Sequence, residues 1–152
     1  MAHFLTNRGK LLLMQGGWNS AGGTAYKMGL LAGAAMPAAI DTATEVSVLN
    51  TVADLLPTLA TECTGGTYAR LSMTRTNATE DDANNRVNMD ASDVVFASGT
   101  NGQQTYGAFW YDATSDSTDT TRLLMGVLSF ASAITFNGST VTVAITDLVR
   151  AS

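Results

Sequence analysis

The sequence predicts a mainly β protein: an antiparallel β-sandwich or barrel, with two short helices in the N-terminal third. Three observations carry that prediction. After residue 64 the helical spacing of apolar residues stops, and apolar and polar positions alternate with the period of two that a half-buried strand requires. Polar segments such as "ASGTNGQQ" and "DATSDSTDTT" separate these runs without a helix-length stretch between them, which points to antiparallel strands and not to βαβ units. Near the C-terminus two alternating runs flank Asn137-Gly138, the dipeptide that two-residue hairpin turns favour because both positions tolerate positive φ.

Taken in chain order, Thr6 and Asn7 precede the apolar run Leu11 to Met14, which ends at Gly16-Gly17; a polar cap before and glycines after predict a helix of two or three turns. In "TAYKMGLLAG", Tyr26, Met28 and Leu30 alternate with Lys27, Gly29 and Leu31, a strand with Gly29 as its weak point. Thr42 and Glu45 have the spacing of a capping box, and Val46, Leu49, Ala53 and Leu56 follow at helical spacing up to Pro57, predicting the clearest helix of the chain. Strands are then predicted in "TYARLSMTR", "RVNMD" and "DVVF", with Val87, Met89, Val94 and Phe96 facing the core. "YGAFWY" places Tyr106, Ala108 and Trp110 on one side and Phe109 and Tyr111 on the other. "RLLMGVLSF" is continuously apolar, as a central strand covered on both faces should be.

The chain of 152 residues reads as a single domain, 1–152, with residues 1–8 as an extended N-terminal arm. Charged residues make up only 14 %, against roughly 25 % in typical soluble domains, so Thr, Ser, Asn and Gly must cover the surface. With a net charge of −5 and no basic stripe, the chain lacks the phosphate-neutralising footprint of a nucleic-acid binder. The apolar run Leu11–Met14 is too short for a signal-peptide core or a membrane span. The single Cys63 excludes an intramolecular disulfide.

Catalytic chemistry finds little to use. The one histidine, His3, sits two residues from the terminus, where holding it in a reactive geometry is difficult. Cys63 has no neighbouring His or Lys in sequence to lower its pKa. "GGWNSAGG" has the glycines of a phosphate loop but no Lys-Ser/Thr ending, so it reads as a flexible loop anchored by Trp18. The densest charge, Glu80-Asp81-Asp82 with Arg86 and Asp90, lacks the alternate spacing and glycine of a calcium loop. It reads as a solvated turn beginning at Asn77 and Thr79, with Arg86 pairing one of the acids. No catalytic residue, metal site or cofactor is therefore expected.

The segments "FLTNRGKLLLM", "DTATEVSVLNTVADLL", "GGTYARLSMTRTNATEDDANNRVNMDASDVVF" and "YGAFWYDATSDSTDTTRLLMGVLSF" together resemble small structural proteins of tailed-bacteriophage virions, of the capsid decoration (cement) type. The resemblance runs from about residue 4 to residue 148 and is carried by a Thr-Asn-x-Gly start, a Thr-Glu-Asp-Asp-x-Asn-x-Arg turn and a Val-Val-Phe strand. It implies a non-catalytic antiparallel β-sandwich, jelly-roll-like and often trimeric, that binds the phage major capsid protein on the exterior of the assembled head after synthesis in the host cytoplasm. On that expectation His3, Phe4, Asn7, Arg8 and Trp18 are the candidate partner-binding residues. The resemblance leaves open a tail-associated adaptor or glycan-reading virion protein using exposed aromatics such as Phe109 to Tyr111, and a metal-dependent enzyme built on Glu80 to Asp82.

Overall fold

Two strands form the centre of the molecule, β8 (Gln104–Asp112) and β9 (Leu124–Thr135), and both are apolar on both faces where they pair. In this computed structural model, which describes residues 2–15, 25–41, 49–76, 78–114, 118–145 and 149–151, they sit inside a six-stranded antiparallel sheet. Its order is β1 (Ala2–Leu5), β9, β8, β2 (Tyr26–Ala32) and β3 (Thr61–Glu62), with β4 (Leu71–Ser72) also paired to β2. A sheet buried on both sides needs two covers. On one face Tyr26, Met28, Leu30, Ala108, Trp110, Met125 and Leu128 pack against Phe96, Val141 and Val143, which belong to a two-stranded antiparallel sheet of β7 (Val94–Phe96) and β10 (Val141–Val143). On the other, Leu31, Phe109, Tyr111, Leu124 and Val127 lie under Ile40 of α2 (Ala38–Asp41) and Val52 and Leu55 of α3 (Val52–Leu55). A third antiparallel sheet joins β5 (Thr79–Asp81), β6 (Arg86–Met89) and β11 (Val149–Ala151).

The mainly β, antiparallel character is as the alternation predicts, and β2, β6, β7, β8 and β9 form where it placed strands. Val94 and Phe96 are buried, Met89 packs against the core and Val87 is half-buried. Helix α1 (Asn7–Met14) forms behind its Thr6 cap.

Other expectations need correction. Helical turns are not confined to the N-terminal third: α3 and a 3₁₀ turn at Asp82–Asn84 lie beyond it. The Thr42–Glu45 capping box lies outside the described residues, but the long helix expected up to Pro57 is not continuous. Leu49 and Asn50 are not helical, and Thr51 bridges Leu123. The helix restarts at α3 because Asp54 closes its N-terminus, accepting from the backbone N–H groups of Thr51 at 2.7 Å and Asn50 at 3.0 Å. Those bonds, Thr51's first, hold the Asp54 carboxyl below its usual range.

The hairpin expected at Asn137-Gly138 does not form, since β10 pairs β7 and not β9. Gly138 has φ +91°, yet among the described non-glycine residues only Asn85 takes a positive φ, so Asn137 lacks the conformation a type I′ turn requires. Phe136 explains the detour. Its ring is buried, its N–H bonds Gln103 and its carbonyl accepts from Gly102, so the chain leaving β9 is pinned inward and carried across to β7.

Tyr106 is also displaced from its expected side. It packs with Phe109 and Tyr111, not with Ala108 and Trp110, because the β8–β9 register shifts between Thr105 and Gly107. An irregularity of that kind moves a side chain to the opposite face. Thr105 stitches the irregularity, its buried hydroxyl contacting the carbonyls of Leu31 at 2.9 Å and Gly107 at 3.1 Å.

Candidate functional site

Residues 2–15 line one edge of the large sheet. Residues 2–5, expected within an extended arm, are extended but lie against β9 as β1, with His3 opposite Leu128 and Phe4 opposite Val127. Thr6 then fastens α1 to the same strand. Its N–H bonds the Met125 carbonyl at 3.0 Å, its hydroxyl donates to the Leu124 carbonyl at 2.5 Å, and its oxygen caps the helix by accepting from the Gly9 N–H at 2.9 Å. Gly9 permits the close seat, because any Cβ there would collide with the Met125 carbonyl. Leu13 turns into the core, so the opposite side of α1 is left to solvent.

That outer side carries Asn7, Arg8, Lys10, Leu11, Met14 and Gln15, all exposed. Met14 is 86 % and Leu11 43 % exposed, an apolar pair at helical i, i+3 spacing next to two cations. The structure thus brings His3, Phe4, Asn7 and Arg8 onto one continuous segment, while Trp18 lies outside the described residues. Lys10, Leu11 and Met14 were missed as candidates. A signal for them exists in the sequence: four consecutive apolar residues wrap around most of a helix, so one side of it can enter a core and the other cannot.

A second polar constellation lies on the helical side of the large sheet. Arg70 reaches Glu62 at 2.7 Å and Asp119 at 2.6 Å, and Arg122 reaches Asp119 at 2.8 Å. The Arg70 guanidinium lies 5.2 Å and 5.3 Å from the ring centroids of Phe109 and Tyr111. Burial opposes its charge, but the hydrogen bonds it donates to Asp119 and Glu62 prevail and hold it protonated. The Asp119 carboxyl is lowered by its bonds from Arg70, against burial, and further by Arg122. Both acids are thereby saturated by arginine, so the arrangement clamps the 119–122 segment to the sheet and offers no free base. Tyr68 extends it, accepting from the Leu30 N–H at 2.8 Å and donating to Glu62 at 2.9 Å.

Phe109, Trp110 and Tyr111 are buried, which removes them as exposed glycan-reading aromatics. Cys63 is buried as well, and burial pushes its thiol up to about 11. In the acidic stretch, Glu80 and Asp81 are strand residues of β5 and not the turn itself. The turn is made by Asp82–Asn84 and by Asn85 at φ 51°, with Asp81 accepting from the Asn84 amide. Asn77 and the Arg86 side chain lie outside the described residues; the backbone register sets Arg86 opposite Asp81. Among the described residues no group of three His, Cys, Asp or Glu side chains is placed to hold a metal ion, and no helix is long and apolar enough to cross a membrane. Comparison with protein-family models, with curated proteins and with solved structures finds no match.

Proposed function

We propose that the chain is a non-catalytic structural protein of a tailed-phage virion, a decoration (cement) protein that binds the phage major capsid protein on the exterior of the assembled head. In this reading it acts as a homotrimer, and its antiparallel body is a jelly-roll-like sandwich with the large sheet as one layer. The observation that carries the reading is the outer face of α1, where Leu11 and Met14 stand exposed beside Arg8 and Lys10 on a helix locked to the sheet edge. An apolar pair rimmed by charge on a rigid support is the usual anatomy of a contact surface. The resemblance in sequence supplies the kind of assembly to which that surface belongs.

The mechanism is adhesive. A ligand that binds the assembled lattice and not its separated subunits stabilises the lattice by mass action, by about 2.7 kcal/mol per site at a hundred times its dissociation constant. Joining three copies raises the effective concentration of the second and third contacts, so each can be individually weak.

The test is co-sedimentation with heads lacking the protein, comparing the natural chain with a Leu11→Asp, Met14→Asp variant shown by circular dichroism to keep its fold. The reading predicts saturable binding by the natural chain and at least about tenfold weaker binding by the variant. Equal occupancy of both would remove the α1 face as the attachment surface, and no binding by either would remove the decoration role.

A further inference from the structure

Helix α1 sets its exposed apolar pair between two cations. Successive residues of a helix turn by about 100°, so Gly9 and Leu13, both buried, fall on the side that faces the body of the protein. Asn7, Leu11 and Met14, all exposed, fall on the opposite side. Arg8 and Lys10, also exposed, fall to either side of that strip, one cation on each flank. Side chains of this kind add their aliphatic stems to an apolar strip while the charged heads stay in water.

The two charges do nothing for the helix that carries them. The N-terminal end of a helix is its positive end, where acids stabilise and bases do the opposite. Yet α1 has no acid in its first turn and no base in its last, and both of its bases lie in its N-terminal half. Nor are they neutralised within the chain. Neither Arg8 nor Lys10 has an ion-pair partner among the described residues, and the first forty residues contain no acid. Arg70 and Arg122, by contrast, each meet a carboxylate, and Arg75 lies over the Tyr26 ring. Two unpaired cations beside an exposed apolar pair specify the chemistry of whatever covers that pair: a basic surface is repelled, and a neutral one desolvates the charges without return.

We infer that the capsid surface covered by α1 is acidic: a segment that sets an apolar side chain against Leu11 and Met14, with a carboxylate on either side of it for Arg8 and Lys10. The inference rests on the decoration reading and names the chemistry of that reading's contact. The apolar pair supplies adhesion, while the flanking ion pairs set the orientation of the helix on the shell and the speed of encounter. Because those pairs lie at a solvated rim, salt screens them.

The test uses heads lacking the protein, with co-sedimentation at about 0.1 M and about 1 M NaCl, between which the Debye length falls from about 10 Å to about 3 Å. The natural chain should bind more weakly at the higher salt. At the lower salt an Arg8→Gln, Lys10→Gln variant should bind at least about threefold more weakly than the natural chain and lose most of the salt response. An Arg8→Glu, Lys10→Glu variant should bind at least about tenfold more weakly. A water-soluble carbodiimide, which joins an amine to a carboxylate in direct contact through an amide bond, then reads the contact itself. The chain has two lysines, Lys10 and Lys27. Mass spectrometry of treated, loaded heads should show Lys10 joined to an aspartate or glutamate of the capsid protein, and in an Arg8→Lys variant position 8 joined to another. A glutamine variant that binds like the natural chain with the same salt response, or loaded heads in which Lys10 is joined to no capsid carboxylate, would overturn the acidic partner and leave the decoration reading standing. Heads that bind none of the natural chain would overturn both.

Discussion

At the scale of single residues, stability is concentrated where one side chain serves several neighbours. Gly29 sits across from Phe109, and a Cβ at 29 would lie 2.6 Å from that ring. The glycine is therefore the space into which the aromatic folds, and Gly29→Ala should destabilise the chain by about 1–3 kcal/mol in urea unfolding. Arg70 is the corresponding polar node. Replacing it with Met leaves Glu62 without its arginine and loses the stacking on Phe109 and Tyr111, a cost of about 2 kcal/mol for a site that keeps some solvent contact. Asp119 gives this node a pH signature. Its folded-state pKa lies below the ordinary carboxylate value, so its stabilisation is complete above about pH 4 and is lost as the pH falls through the lowered value. Asp119→Asn should lower stability by about 1 kcal/mol at pH 7 and flatten the decline of stability between pH 4 and pH 2, both read by urea unfolding across that range. An unchanged acid limb would show that the Arg70–Asp119 pair contributes nothing.

At the scale of elements, the periodic signals were legible and the tertiary choices were not. Strands β8 and β9 and helix α1 follow from local pattern alone, because alternation, apolar runs and a Thr cap are properties of neighbours in sequence. The Asn137-Gly138 hairpin fails for a non-local reason: Phe136 finds a buried seat against Gly99, and the ring's burial, about 1.5–3 kcal/mol, outweighs the local turn preference. The helix expected through Leu49 breaks for a similar reason. Its backbone near residue 50 bonds the 122–124 segment, with the Val52 N–H reaching the Arg122 carbonyl and the Leu124 N–H reaching that of Asn50. What remains of the helix depends on Asp54, and Asp54→Ala should cost about 1 kcal/mol in thermal or urea unfolding. The exposed face of α1 was half legible: Asn7 and Arg8 were picked out by position, while Lys10, Leu11 and Met14 needed the docking of Leu13 into the core to show which way the helix turns.

At the scale of the whole molecule, the chain divides its charge unevenly, with a basic and apolar N-terminal face and an acid-rich remainder. A body whose acids Glu62 and Asp119 are paired internally with Arg70, and whose exposed Leu11 and Met14 lie on a helix held to the sheet edge, fits the contact role proposed above. That organisation is what a protein needs if its work is to hold an assembly together. The claim is tested most directly by adding the purified chain to assembled heads and to dissociated capsid subunits of the same phage and separating both mixtures on density gradients. The account predicts that the chain saturates the heads at a fixed number of copies and leaves the subunits bare; equal binding to both, or to neither, would contradict it.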